Sequence, residues 1–191
     1  MTNEKLHQII EKVVDTKATL LELSEQDLTQ LPPEIGKLTY LNQLDLSHNQ
    51  LTSLPAEIWQ LTQLKILNLS GNQLTNLPPE IDQLTNLKKL VLGDVFGGNQ
   101  LTVLPRRIGK LRHLTMLCLA NNQLTKLPRE IGKLRYLKML DLRWNQLTTL
   151  PAEIARLPGL IELHIEGNPL APPAKIIAQG KQAILKYLHL V

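Results

Sequence analysis

Leucine and asparagine recur at fixed intervals along most of the chain. The stretches LDLSHNQLTSLPAEI, LNLSGNQLTNLPPEI, LCLANNQLTKLPREI and LDLRWNQLTTLPAEI share one order of apolar and polar positions. The asparagines of the series are Asn49, Asn72, Asn99, Asn122, Asn145 and Asn168, with Gln26 at the place of a seventh. Successive members are 23, 23, 27, 23, 23 and 23 residues apart. A period of this size predicts a solenoid of stacked repeats.

Each repeat contains a short pattern typical of a β-strand. In Leu44-Asp45-Leu46, leucines alternate with a polar residue, as in a strand with one buried face. A proline follows six residues after each asparagine from Asn49 to Asn145, as Pro55 does, and predicts that the chain leaves the strand direction there. The asparagine amide can satisfy backbone groups of neighbouring coils, so we interpret the asparagine series as structural.

The unit LxxLxLxxNxLTxLPxxIxxLxx resembles the leucine-rich repeat family, in its typical 23-residue, bacterial-type form. The resemblance covers residues 18–170. It implies a right-handed α/β solenoid, or horseshoe, of about seven repeats with a parallel β-sheet on its concave side. In this family, ligands usually bind the concave sheet.

The two ends of the chain predict helical caps that cover the open ends of the core. In residues 4–16, apolar side chains fall on one helical face: Leu6, Ile9, Ile10, Val13 and Val14. After Pro172-Pro173, two short helical pieces broken at Gly180 are expected to present Ile176, Ile177, Ile184, Leu185 and Leu188. The predicted organisation is an N-terminal cap at 1–17, a solenoid at 18–170 and a C-terminal cap at 171–191.

The segments IIEKVVDTKATLLELSEQDLTQLPPEI and GNPLAPPAKIIAQGKQAILKYL resemble the borders of bacterial leucine-rich repeat segments, including those of Roco proteins. The resemblance implies an alternative in which the chain is a regulatory fragment of a larger multidomain protein such as a Roco GTPase. The sequence contains no GxxxxGK[ST] phosphate loop, so GTPase activity is not carried over.

Composition favours a cytoplasmic protein without cofactors. Cys118 is the single cysteine of the 191 residues, so an intrachain disulfide is impossible. The chain has no apolar run long enough to span a membrane, and its first residues lack the layout of a secretory signal.

Charge is distributed unevenly. Residues 1–95 contain 7 Lys/Arg and 12 Asp/Glu, and residues 96–191 contain 14 and 5, which gives the net +4. The added bases lie mainly in LPRRIGKLRHL and LPREIGKLRYLK, and we expect them on the convex side. They are either a solvated face or an electrostatic site for an anionic partner, nucleic acid or membrane. With Tyr136 as the one interleaved aromatic residue, the sequence does not favour nucleic acid.

The outward positions of the predicted sheet form a candidate protein-binding site. An apolar cluster is expected at its centre: Ile66, Val91, Met116, Cys118 and Met139. Polar and aromatic side chains lie beside it: Asp141, Arg143, Trp144, His164 and Glu166. Contiguous apolar surface often marks a binding site, and Trp and Arg are enriched among interface hot spots. We therefore predict a non-enzymatic scaffold for an unidentified protein partner, either monomeric or weakly self-associating.

Two chemical interpretations of these residues are less favoured. Asp141, His164 and Glu166 are a possible ligand set for a metal, but a cross-strand charge pair between Asp141 and His164 is the simpler interpretation. Cys118 and His164 lie two predicted strands apart, about 10 Å, which is too far for a nucleophile and its base. No metal site and no catalytic site are predicted.

One repeat carries four extra residues, in the segment GDVFGG after Leu92. The insertion predicts a small loop at the rim of the sheet, and it contains Phe96, the only phenylalanine. Either the loop presents Phe96 to a partner, or the insertion is merely tolerated and the ring folds back onto neighbouring leucines.

Overall fold

The computed structural model describes residues 1–170 and 172–188. Its central element is one sheet of seven parallel strands that lie in the order of the sequence. The strands are β1 (Leu20–Glu22), β2 (Gln43–Asp45), β3 (Ile66–Asn68), β4 (Lys89–Val91), β5 (Met116–Cys118), β6 (Met139–Asp141) and β7 (Glu162–His164). Each strand is paired with the next at the equivalent position, so that Leu44 is level with Leu67 and Leu67 with Leu90. Equivalent residues of successive repeats therefore form straight columns across the sheet.

A layer of short 3₁₀ helices lies opposite the sheet. The six helices are Pro33–Lys37, Ala56–Gln60, Pro79–Gln83, Arg106–Lys110, Arg129–Lys133 and Ala152–Arg156. A proline precedes each of them in extended conformation, as Pro55 does at φ −66° and ψ 150°. Because proline lacks an N–H, it ends the extended segment without leaving an unpaired donor. The helix that follows turns an isoleucine inward, and Ile58 is fully buried.

The core between the two layers consists almost entirely of leucine and isoleucine. The central leucine of each strand points into it, and Leu67, Leu90, Leu117 and Leu140 are inaccessible to solvent. One repeat cannot enclose its own leucines, so each coil depends on its neighbours for burial.

The buried asparagines bond adjacent coils together. Asn122 Oδ1 accepts a hydrogen bond from the backbone N–H of Leu101 at 3.1 Å. Its Nδ2 lies within hydrogen-bond distance of the carbonyl oxygens of Leu92, Leu119 and Ala120. Asn49, Asn72 and Asn145 repeat this arrangement in their own coils. These hydrogen bonds agree with the structural role predicted for the asparagine series.

Helices close both ends of the described solenoid. Helix α1 (Asn3–Thr16) begins after Thr2, whose Oγ1 accepts from the backbone N–H of Lys5, and buries Leu6 and Ile10. At the other end are α2 (Ala174–Ile177) and α3 (Lys181–Tyr187), with Gly180 between them at φ 80°. Ile184 and Leu185 of α3 are buried, whereas α2 buries no side chain. Residues 171 and 189–191 of the expected C-terminal cap lie outside the described residues.

Candidate functional site

The strand register places the predicted site residues in neighbouring columns on the outward side of the sheet, here called the sheet face. Met116 is level with Met139, and Asp141 is level with both Cys118 and His164. The apolar residues Ile66, Val91, Met116 and Met139 are half-buried at the middle of this face. Four of the five predicted apolar residues are thus partly accessible on β3 to β6, with Lys89 between Ile66 and Met116 in their column.

Cys118 does not belong to the accessible surface, and its predicted exposure is wrong. The side chain lies between Val91 and Asp141 in its column, and the residue is only 8% exposed. Burial raises the pKa of the Cys118 thiol to about 11, and the nearby carboxylates of Asp141 and Asp94 add to the effect. The thiol is therefore neutral at ordinary pH and is a poor nucleophile.

Asp141 and Arg143 form the strongest polar contact of the sheet face. Arg143 Nε donates to Asp141 Oδ1 at 2.9 Å, and Nη2 donates to Oδ2 at 2.5 Å. The Arg143 backbone N–H also donates to Oδ1, at 3.1 Å. Asp141 is 4% exposed, so the pair is largely removed from water, and hydrogen bonding to Asp141 raises the pKa of Arg143 further. The guanidinium is consequently fixed in one orientation on the sheet.

The predicted charge pair between Asp141 and His164 is wrong. The two residues are level in adjacent strands, but the carboxylate of Asp141 is bonded by Arg143. His164 Nε2 instead lies 3.4 Å from Glu162 Oε2 in its own strand. Glu166 is half-buried, and its Oε2 has no hydrogen-bond partner among the described residues. No group of three or more His, Cys, Asp or Glu side chains within the described ranges is arranged to hold a metal ion.

Trp144 is exposed and has an unusual backbone conformation. It is 44% accessible and has φ 52°, in the left-handed region that a bulky residue rarely adopts. Its indole lies over Gly167, where an added Cβ would overlap the ring. The Arg143 guanidinium lies 5.3 Å from the centre of the Trp144 ring, within cation–π range. Glycine at position 167 and the fixed arginine therefore hold the ring in place.

The same left-handed turn follows most of the strands. Glu25, His48 and Asn121 have φ between 53° and 56°, and Gly71 and Gly167 have φ 65° and 71°. His48 lies over Gly71 as Trp144 lies over Gly167, because a Cβ at Gly71 would stand 2.6 Å from His48 Nδ1. These residues occupy equivalent positions of the repeats, and their left-handed conformation was not predicted from the sequence. The two glycines in that column were the available signal.

The four-residue insertion forms a loop closed by Asp94. Asp94 Oδ1 accepts from the backbone N–H groups of Phe96 at 2.8 Å and Gly97 at 3.1 Å. Phe96 is 84% exposed, so the alternative in which its ring folds onto neighbouring leucines is wrong. A Cβ at Gly98 would overlap the carbonyl oxygen of Asn121, so glycine is required where the loop rejoins the coil.

A model of the leucine-rich repeat region matches residues 17–105 and 99–179 of the chain. The chain therefore belongs to the leucine-rich repeat family. No curated protein sequence matches it significantly. No helix among the described residues is both long and apolar enough to cross a membrane.

Solved structures of similar fold come from bacteria and plants. A leucine-rich repeat protein of Leptospira interrogans is 35% identical over 94% of this chain and 55% of its own, with a TM-score of 0.52. The Arabidopsis thaliana receptor kinase ectodomain GASSHO1/SCHENGEN3, solved with CASPARIAN STRIP INTEGRITY FACTOR 2, is 41% identical over 73% of this chain, with a TM-score of 0.66. The Arabidopsis receptor kinase HAESA, solved with the peptide hormone IDA and the co-receptor SERK1, is 31% identical over 82%, with a TM-score of 0.69.

The chain spans only part of these proteins, namely 17% of the GASSHO1/SCHENGEN3 chain and 27% of the HAESA chain. None of the three bears on the resemblance of the flanking segments to Roco proteins, which stays a prediction.

Proposed function

We propose that the chain is a non-catalytic scaffold that binds a protein or peptide partner across the sheet face. The observation that carries this proposal is the exposed Trp144 held at φ 52° beside Arg143. A left-handed conformation costs a bulky residue about 1–3 kcal/mol, and such strain is concentrated at binding sites. The left-handed turn belongs to most repeats, and glycine occupies this place in two of them without that cost, whereas this repeat carries an exposed tryptophan.

The surroundings of Trp144 fit a protein partner. The half-buried apolar residues Ile66, Val91, Met116 and Met139 lie on β3 to β6, and Met139 shares β6 with Asp141 of the Arg143–Asp141 pair. Methionine adapts its shape to a partner, and a fixed arginine offers donors and a flat face. The HAESA and GASSHO1/SCHENGEN3 structures were solved with a peptide hormone or a protein factor, which supports the same class of ligand here.

The test uses glycine at Trp144, because glycine removes the ring and is compatible with the left-handed turn. Arg143 is unsuitable, since its removal would leave the buried Asp141 carboxylate without its partner. Proteins captured from a lysate of the source cell by the wild type and by Trp144→Gly are compared by quantitative mass spectrometry. We expect at least about a tenfold loss of a specific partner, because a tryptophan hot spot contributes roughly 2 kcal/mol or more.

His48→Gly is the matched control, because His48 occupies the same column, has φ 53° and also lies over a glycine. It should capture the partner as the wild type does. Equal capture by Trp144→Gly and the wild type would show that the partner does not bind at Trp144.

A further inference from the structure

One side of the solenoid carries many basic residues and no acidic ones. On this side the chain returns from the 3₁₀ helices to the strands. In each of six repeats, four positions face this side: the last residue of the 3₁₀ helix and the second, third and fifth residues after it. The first column contains Lys37, Lys110, Lys133 and Arg156, and the second contains Arg112 and Arg135. The last column before the strands contains Lys65, Lys88 and Lys138. All nine cations are exposed, and we call this surface the basic flank.

Backbone hydrogen bonds join the basic flank from repeat to repeat. Lys88 N–H donates to the carbonyl of Lys65 at 2.8 Å, Thr115 to Lys88 at 2.8 Å, and Lys138 to Thr115 at 2.8 Å. The cations of successive repeats therefore lie side by side in rows along the solenoid. Within residues 1–170 and 172–188, only Lys110 of the nine forms an ion pair, at 3.1 Å from Asp82. Of the eight bases expected mainly on the convex side, Arg106, Arg107, Lys110, Arg129 and Lys133 lie in the 3₁₀ helices, and Arg112, Arg135 and Lys138 follow those helices.

Charges of opposite sign are separated between the surfaces. The 24 positions of the basic flank contain no Asp or Glu. In the strands of the sheet face, by contrast, the acids Glu22, Asp45, Asp141 and Glu162 outnumber the single base Lys89, and Arg143 just after β6 pairs with Asp141. On the side where the strands end, the repeats carry Gln and Thr in the series QLT. Charge needed only for solubility gains nothing from such separation, since like charges on one surface repel each other. The basic flank therefore complements a partner of uniform negative charge.

Exposed aromatic rings lie within the basic flank. His113 and Tyr136 occupy the same column in successive repeats, with ring centres 6.3 Å apart and planes 4° from parallel. Tyr136 is 62% exposed, and the cations Arg112 and Arg135 directly precede the two rings in sequence. Sequence analysis counted only Tyr136 among the bases. The structure adds His113, so the cations surround a stacked pair of rings.

We propose that the basic flank binds single-stranded nucleic acid. The phosphates would follow the rows of Lys and Arg, and bases would stack on the His113–Tyr136 pair, as aromatic platforms in basic grooves do for single strands. A duplex keeps its bases stacked inside, so it could use the cations but not the rings. This site is separate from Trp144 and does not depend on the function proposed for the sheet face.

Two other anionic partners fit less well. Binding in the interface of a bilayer uses inserted apolar side chains, but Gln63 and Asn86 separate the exposed Tyr40 from His113 in the aromatic column, and Ile161 is the one exposed aliphatic residue of the basic flank. An acidic patch of a folded protein would match the cations, but it leaves the exposed parallel rings of His113 and Tyr136 without a role, whereas a nucleic acid uses both.

The experiment measures the fluorescence anisotropy of a labelled oligouridylate with the full chain across a range of salt concentrations. We expect saturable binding that weakens steeply with salt, and weaker binding of an RNA duplex of the same length. In the double variant Arg112→Gln and Arg135→Gln, affinity should fall and the salt slope should flatten by about 0.7 for each phosphate that is no longer neutralised. Tyr136→Ala should weaken binding at least about fivefold with an unchanged slope, because it removes stacking and no charge.

The control variant is Lys126→Gln, which removes an exposed cation from the side where the strands end. It should bind as the wild type does, and so should Trp144→Gly, whose change lies on the sheet face. Equal affinity for duplex and single strand together with no effect of Tyr136→Ala would overturn the proposal, since general attraction of a polyanion would then explain the binding. Binding to phosphatidylserine vesicles without binding to the oligonucleotide would overturn it in favour of a membrane.

Discussion

Asn122 shows how one side chain joins two coils. Its amide satisfies the Leu101 N–H and contacts carbonyls on both its own coil and the preceding one, all in a buried site. Asn122→Ala would leave the buried Leu101 N–H without its partner, at about 1–3 kcal/mol. It would also remove one of the two amide hydrogen bonds to the carbonyls of Leu92 and Leu119, which additionally accept from Asn99 and Asn145. We expect the free energy of unfolding in urea to fall by about 3 kcal/mol. Gln123→Ala alters the exposed neighbour and should change it by less than about 0.5 kcal/mol. A similar small effect at Asn122 would mean that water replaces the amide.

At the same scale, the sequence predicted positions better than environments. The alternation of Leu117 and Cys118 correctly assigned the sheet face to Cys118, because side chains alternate along any strand. Its burial depends on the neighbours Val91 and Asp141 and on the way Arg143 bonds that carboxylate, and no periodic pattern contains this information. The pairing of Asp141 with Arg143 was missed for the same reason. The sequence analysis compared Asp141 with the residue level with it in the adjacent strand, and did not consider Arg143, which follows two residues after Asp141, just past the end of β6.

Among the elements, the inserted loop has the clearest experimental test. In regular repeats, the residue of the left-handed turn donates its backbone N–H to the next coil, as His48 does to Ser70 at 2.8 Å. At the insertion, Asn72 donates to Gly98 at 3.1 Å instead. Deleting residues 95–98 joins Asp94 to Asn99 and restores both the sequence LxLxxN and the 23-residue period.

We expect this deletion to change the free energy of unfolding by less than about 1 kcal/mol, because the loop is bonded chiefly to itself through Asp94. The measurement is urea unfolding followed by circular dichroism, with Phe96→Ala as the control, since removing an 84% exposed ring should leave stability unchanged. A decrease above about 3 kcal/mol would show that the loop supports the coil.

The elements themselves were largely readable from the sequence. The predicted break at Gly180 separates α2 from α3, and the predicted cap residues of 4–16 lie in α1. The 3₁₀ helices were not predicted, because five residues between a proline and a leucine contain too few positions for a helical period to appear.

For the whole molecule, stability depends on covering the ends of a core that runs through every coil. Ile184 of α3 is 1% exposed, and Lys186 of the same helix is exposed. Ile184→Asp would put a carboxylate into the apolar end of the core and detach the cap. We expect a loss of at least about 3 kcal/mol and concentration-dependent association in sedimentation velocity, as uncovered leucines meet those of another molecule. Lys186→Asp should remain monomeric and stable, and a monomeric Ile184→Asp would show that α3 is dispensable.

The asparagine series has a consequence for how such a chain changes over generations. Each coil offers its neighbour nearly the same leucines and the same amide bonds, so the joint between any two copies is interchangeable. Recombination between matching stretches of the gene can therefore delete or duplicate one copy and leave every remaining joint intact. The sheet would then lengthen or shorten in increments of about 4.8 Å, the separation of adjacent strands. The lengths of the sheet face and of the basic flank are therefore inherited, and selection can change them one repeat at a time. Such a change does not depend on the side chains that give each surface its chemistry.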